Sequence, residues 1–350
     1  MKDGLLIRLS PFSFRVDRRL PLLLVTLAVL SFAAIVLNVQ QGDYPISTPD
    51  IIKTLFGVDT GNPDHAFVIY TLRLPRTLVA FMVGAALAIS GCIFQGLTRN
   101  PLADPSIIGI NAGASLAAVA VIVLFPSAPV YLLPIAAFSG ALLIAGLIYS
   151  LAWNGGSSPM LLILLGIGLA AIATAFTSLM ITFGSIYDVS QALVWLAGSV
   201  YGRTWEQFFS LLPWVGLGIP ISLSLSRQLN ALNLGDDVAR SLGNRVEWQR
   251  GLLVLLAVAL AGAAVATAGT IAFVGLIAPH IGRQLIGANH QNLLPVTALL
   301  GGLLVTVADL GGRTLFSPIE LPCGVVTAAI GAPFFLYLLV HHRHRSCNNS

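Results

Sequence analysis

Charge is scarce in this chain. Asp, Glu, Lys and Arg make up 9% of its 350 residues, and only Lys2 and Lys53 are lysines. A Gly-x-x-x-x-Gly-Lys-Ser/Thr phosphate loop is therefore missing, and with it that way of binding ATP. Cysteine is nearly absent as well. Cys92, Cys323 and Cys347 are too few for a disulfide scaffold and serve as small apolar side chains. The long apolar runs hold almost no ionisable group at mid-length, and Asp309, Arg313 and Glu320 fall toward run ends. Proton- and sodium-coupled carriers place carboxylates, histidines or broken polar helices at the membrane midplane. A bare-metal path needs a cluster of Asp, His, Cys or Met ligands. Neither pattern is present, nor is the polar cluster of an intramembrane enzyme. What these absences leave is a path lined by neutral, small and apolar groups. It suits a bulky cargo already wrapped in a carrier and driven by energy from another subunit. An ion-gradient-driven secondary transporter is the competing class, marked by transport that needs no ATPase partner.

Hydrophobic residues are what the chain has in excess, at 56% with a mean hydropathy of +0.88. That composition belongs to a polytopic membrane protein. Ten runs are long enough to cross a hydrocarbon core as helices, at about 20–38, 77–97, 106–125, 131–152, 160–183, 206–226, 250–268, 271–287, 293–309 and 322–340. The break at Ala268-Gly269-Thr270 is the shortest among them. The first run follows Arg18 and Arg19, is of spanning length, and lacks a small-residue cleavage site, so it is expected to be a permanent span. An even number of spans puts both termini on one side. With the N-terminus inside, 13 of the 18 basic residues lie in inner segments. The positive-inside rule then places both termini in the cytoplasm. The net charge of +4 is this bias and calls for no nucleic-acid partner. The expected organisation is a cytoplasmic segment at 1–19, one transmembrane domain at 20–340, and a basic tail at 341–350 suited to anionic lipid.

Arg73, Arg76 and Arg313 are three of only five outer basic residues, with Lys53 and Arg203 the others. Snorkelling to lipid headgroups accounts for them in one reading. In the other, they form a cationic patch that docks an acidic protein partner. Gly84-x-x-x-Ala88 with Gly91, and Gly109-x-x-x-Gly113, mark faces of close helix packing. Asn100-Pro101 has the form of a helix start. Pro49-Asp50 is expected to open a short surface helix in the outer loop. Pro279 should kink its span, and His280 is expected to be a hydrogen-bonded interior residue. In the inner loop at about 227–249, Val238, Leu242 and Val246 recur at helical spacing. Asp236 and Asp237 sit in the first turn, where a helix dipole favours acids, and Gly243 breaks the pattern. Ser157 and Ser158 precede a span containing Gly166 and Gly168, which serves either to line a pore or simply to pack.

Several of these stretches also resemble one family. They are Arg-Leu-Pro-Arg (73–76) with Gly-Ala-Ala-Leu-Ala-Ile-Ser-Gly (84–91), Asn-Pro-Leu-Ala-Asp-Pro (100–105), Leu-Gly-Asp-Asp-Val-Ala-Arg-Ser-Leu-Gly (234–243), Ala-Gly-Thr-Ile-Ala-Phe-Val-Gly-Leu-Ile-Ala-Pro-His (268–280), Ala-Asp-Leu-Gly-Gly-Arg (308–313) and Glu-Leu-Pro-Cys-Gly-Val-Val-Thr-Ala-Ala-Ile-Gly-Ala-Pro-Phe-Phe (320–335). In that order, across nearly the whole chain, they resemble the FecCD-type permeases of binding-protein-dependent ABC importers. These carry ferric siderophores, haem or vitamin B12. Cys323 stands where the family usually has an apolar residue such as valine. The resemblance implies an all-α type II importer permease of about ten helices in the bacterial inner membrane. It implies a second permease subunit, the same chain or a related one, two ATP-binding cassette subunits carrying ATP and Mg, and a periplasmic or lipid-anchored substrate-binding protein. No cofactor or metal on this chain and no catalysis by it are implied. Arg73, Arg76 and Arg313 match the family's docking arginines. Leu234, Gly235, Asp236, Asp237, Ala239, Arg240, Leu242 and Gly243 match its ATPase-coupling element. The inner gate falls near Ser157 to Met160, with the fifth span and its Gly166 and Gly168 lining the path. A ferric siderophore is the expected cargo, with haem and vitamin B12 as alternatives.

Overall fold

A computed structural model describes residues 4–9, 12–17, 19–42, 44–105, 109–152 and 159–347. Each of the ten apolar runs has become a helix. Helix α1 (Leu20–Gln40) is followed by two short helices, α2 (Thr48–Leu55) and α3 (Pro63–Phe67), and a π-helical turn at Val68–Arg73. That turn feeds α4 (Leu74–Thr98). Next come α5 (Ile110–Leu124), α6 (Leu132–Ala152), α7 (Pro159–Phe183), the short α8 (Ile186–Leu196) and α9 (Trp205–Ser224). Two short helices, α10 (Ser226–Asn233) and α11 (Asp236–Ser241), precede α12 (Val246–Ala268), α13 (Val274–Ile286), α14 (His290–Thr314) and α15 (Cys323–Cys347). Among the described residues, eight helices are long and apolar enough to cross a membrane; α5 and α13, of 15 and 13 residues, are shorter. The described residues before α1 are not helical. Gly4–Leu9 and Phe12–Asp17 pair as an antiparallel hairpin, which no sequence signal had indicated.

Helix α4 is the hub, and its small residues are the reason. A Cβ built on Gly84 would lie 2.1 Å from the Gly301 carbonyl oxygen of α14, and one on Gly91 would lie 2.0 Å from that of Gly275 in α13. Backbones in such contact leave no room for a side chain, which is how small-residue faces hold membrane helices together. Ala88 packs in the same seam against Gly301. The Gly109/Gly113 pair works likewise, with Gly113 against the Gly140 backbone of α6. The α4 helix starts with Pro75 in its first turn and stops at Arg99, which takes left-handed backbone angles (φ 54°).

Two local expectations are corrected. Asn100-Pro101 opens a turn, not a helix: the Asn100 side chain accepts from the Leu102 amide at 3.0 Å, and α5 waits until Gly109, whose φ of 75° suits its role before the helix. The predicted span at 106–125 is therefore shorter. Residues 186–196, predicted as part of no span, form α8, because Ser185 caps the chain through the Asp188 amide. The short break between the seventh and eighth runs is real. Gly269 at φ 73° ends α12, Phe273 at φ 68° precedes α13, and Thr270 donates to the Leu196 carbonyl. Pro49-Asp50 does open α2, with Ser47 accepting from the Asp50 amide. His280 is interior, edge-on to Phe334 and 2.9 Å from the Gln284 side chain.

Candidate functional site

The chain's scarce charges collect at the two ends of the bundle. One end is formed by the C-termini of α1, α12 and α14 and the N-termini of α4, α9 and α15. It holds Arg73, Arg76 and Arg313, and all three are buried. Arg76 is gripped from two sides. Its guanidinium donates to Asp309 at 2.8 Å and to Glu320 at 2.9 Å. It also lies 5.3 Å from the centre of the Tyr201 ring. Arg73 donates to the carbonyls of Val39, Gln40 and Tyr44, stitching the end of α1 to the start of α4. Arg313 donates to the backbone and side-chain oxygens of Asn38. Asn38 in turn donates to Asp309 at 3.3 Å and to the Thr306 carbonyl at 3.0 Å. The sequence had put the three arginines at one surface. The structure joins Arg76 and Arg313 through Asp309 and Asn38, ties in Arg73 through Thr77, which donates to the Arg73 carbonyl and to Asn38, and turns all three inward instead of leaving them as a free cationic patch. The cause is energetic. A guanidinium at a membrane boundary seeks partners, and Asp309 and carbonyls at helix ends supply them.

At the other end, α10 and α11 follow α9 and return the chain to α12. Asp236 anchors this turn. It bonds Arg99, the residue that ends α4, and lies 2.7 Å from Arg250 in α12, whose side chain is 2% exposed. Burial works to raise the Asp236 carboxyl, but the hydrogen bond and charge of Arg250, then the charge of Arg99, hold it below its ordinary value. Asp237 instead faces solvent, 3.4 Å from Arg240. Ala239 is fully buried beneath α11. Leu234, Val238, Leu242 and Trp248 point outward and are exposed. The expected break at Gly243 is present, and it separates Val246 from Val238 and Leu242. Gly243 takes φ 81°, Val246 is buried as the first residue of α12, and Val238 and Leu242 are turned away from the protein. Gly235 takes φ 121°, a conformation that favours glycine, just before α11.

Of the expected path residues, Ser157 and Ser158 lie outside the described residues. Gly166 is buried, with its carbonyl against Gly109, whereas Gly168 lies on the exposed face of α7 with open space around it. The structure therefore separates the two glycines into a packing role and an open one. Among the described residues, no group of three or more His, Cys, Asp or Glu side chains is placed to hold a metal. Sequence reasoning missed Asn38, Arg99 and Arg250. The usable signal was scarcity itself: in so apolar a chain, every Asp near a span end calls for a cationic partner.

Both the sequence and the overall fold have counterparts among known proteins. A profile of the FecCD transport family matches residues 27–341. The chain belongs to the FecCD transport family. The Fe(3+)-citrate import system permease protein YfmE of Bacillus subtilis (strain 168) is 43% identical over 326 residues, 93% of this chain and 96% of its own. The achromobactin transport system permease protein CbrC of Dickeya dadantii (strain 3937) is 44% identical over 323 residues, 91% of this chain and 92% of its own. A solved structure of a metal-chelate type ABC transporter, in an inward-facing conformation, superimposes with a TM-score of 0.83 at 34% identity, covering 92% of this chain and 99% of that one. The chain is accordingly a multi-pass membrane permease subunit with the fold of a type II ABC importer.

Proposed function

We propose that the chain is the membrane subunit of an ATP-driven importer that moves a ferric siderophore or related iron(III) chelate across the bacterial inner membrane by alternating access. The observation that carries this reading is the exposed apolar ridge at α11. Leu234, Val238 and Leu242 face outward, and the turn bearing them is fixed to α4 and α12 through Asp236. A rigidly mounted apolar knob is what an ATPase subunit needs to push on. It fits two ATP-binding cassette subunits carrying ATP and Mg, with this chain doing no bond chemistry.

The substrate-binding protein docks at the opposite end, around Arg73, Arg76 and Arg313. Glu320 is the outer partner of Arg76, with 29% of its side chain exposed. An acidic residue of the binding protein reaches Arg76 by displacing Glu320, while Asp309 holds the guanidinium from below. The α11 end is then cytoplasmic, as are both termini. A second permease subunit completes the path, with α7 and its Gly168 face lining it. The relatives' names favour iron chelates over haem or vitamin B12.

The test is reconstitution of the full complex in proteoliposomes with radiolabelled iron in citrate and siderophore chelates, against haem and cobalamin. ATP-dependent uptake of an iron chelate is expected. Uptake that proceeds without the ATPase subunits, or that favours cobalamin, would overturn the reading.

A further inference from the structure

A cavity of about 510 Å³ opens between the start of α6, the start of α9 and the end of α12, at the same end as the arginine network. Its walls carry opposite charges, Arg203 and Glu206, together with Phe138, Trp195 and Trp214. Among the described residues, neither charge forms a salt bridge, with the other or with anything else. The Nε of Arg203 is buried and lacks a hydrogen-bond partner. Such a group costs free energy until something accepts its proton. The rest of the network at this end shows how readily the fold pairs its arginines, so an unpaired one facing a cavity calls for an external anion.

The depth profile says what kind. Arg203 precedes α9, whereas Trp214 lies nine residues into it, about 13 Å deeper along the axis. Phe138 and Trp214 close the inner wall with ring centres 4.7 Å apart. The cavity is thus polar at the helix ends and aromatic within, the profile of the headgroup boundary, where Trp and Tyr gather. Two of its helical walls, α6 and α9, have much of their surface unburied, while the apolar stretch of the third, α12, is 72% buried. The apolar stretches of α6 and α9 are 28% and 22% buried, against 89% in the continuous helical stretch Pro63–Thr98 that contains α4.

We propose that this cavity binds a zwitterionic aminophospholipid, a phosphatidylethanolamine-type headgroup with the upper part of an acyl chain. Its phosphate meets the Arg203 guanidinium, its primary ammonium meets the Glu206 carboxylate, and its chain lies on Phe138 and Trp214. Charge complementarity selects this occupant. An anionic lipid satisfies Arg203 but is repelled by Glu206, while a zwitterion satisfies both; of the zwitterions, one with a primary ammonium also donates N–H hydrogen bonds to the Glu206 carboxylate, which a quaternary choline cannot.

Native mass spectrometry of the full chain released from mixed vesicles tests it, with phosphatidylethanolamine, phosphatidylglycerol and phosphatidylcholine of matched acyl chains as probes. The wild type is expected to retain phosphatidylethanolamine preferentially. Arg203→Ala should lower that retention about fivefold, the usual scale for one surface cation, and Arg203→Lys should restore much of it. Glu206→Gln should move the preference toward phosphatidylglycerol. Ser210→Trp, which fills the cavity while leaving both charges, should also displace the lipid and guards against misreading a folding defect. Equal retention of all three lipids by the wild type would overturn the proposal. So would a quantitative cross-link between two copies bearing Gln207→Cys, which assigns the face to a second subunit. Salt-dependent loss of binding-protein docking in Arg203→Ala with lipid retention unchanged would overturn it as well.

Discussion

The two ends of the bundle invert each other. At the α1–α4–α14 end, charged side chains turn inward. Arg73, Arg76 and Arg313 are buried against Asn38, Asp309 and helix-end carbonyls. At the α11 end, apolar side chains turn outward, and Leu234, Leu242 and Trp248 are each well over half exposed. In water both choices are unfavourable. Each makes sense once its job is separated from its chemistry. The first end spends its charges on bracing three helices that a membrane boundary leaves open. The second holds an apolar surface at a fixed height for something else to cover. An exposed apolar residue on a rigid mount is thus better evidence of a partner than a charge visible in the sequence.

The sharpest way to break this comparison is at Asp309. Asp309→Ala leaves Arg76 buried with only the outer Glu320, and should cost about 3–5 kcal/mol of stability, seen as a lower melting temperature in detergent. A melting temperature like the wild type's would show that the network braces nothing. Next comes Leu242→Ser combined with Leu234→Ser. Folding should be unaffected, while affinity for the ATPase subunits falls about tenfold or more, on the scale of apolar anchors at interfaces. Size-exclusion co-elution measures this, and unchanged assembly contradicts the assignment of the ridge. Asp236→Asn and Asp237→Asn form a matched pair. The first should cut transport per ATP hydrolysed about tenfold or more, the scale of losing a charge-assisted bond worth about 1.5–3 kcal/mol, while the second should change it little. Glu320→Gln is expected to tighten binding-protein docking by a few-fold at low salt, because it removes the competitor for Arg76; weaker docking would refute the displacement model. The smallest effect is with pH. The Asp236 carboxyl sits below its ordinary value of 3.8. A depressed carboxylate stabilises the fold at every pH above its unfolded value and loses that contribution only as pH falls through the lowered one. Coupling should therefore be flat between about pH 5 and 8, and a midpoint inside that window would place the charge elsewhere.

The ten apolar helices were legible from hydropathy, and the packing seams of Gly84, Gly91 and Gly113 and the break at Gly269 because each rests on one residue type and its steric consequence. The cap at Ser185 was equally local, yet it was hidden inside a stretch read only for hydropathy. Which way a side chain faces was not legible. Val238 and Leu242 share a helical spacing with Val246, and periodicity marks a face without saying whether the protein or a partner covers it. Arg313 and Arg76 stand far apart in sequence, and nothing in their spacing revealed that Asn38 lies between them. Asp309 and Glu320 were visible as charges near span ends, but their pairing needed the tertiary structure.

The central claim is that the braced end receives the binding protein and the apolar ridge receives the ATPase. Cross-linking in the assembled complex tests it directly, using Leu242→Cys and Glu320→Cys separately in a background with Cys347→Ser. Leu242→Cys should cross-link to an ATPase subunit and never to the binding protein, with Glu320→Cys showing the reverse. The opposite pattern, or capture of both partners from one position, would contradict the account.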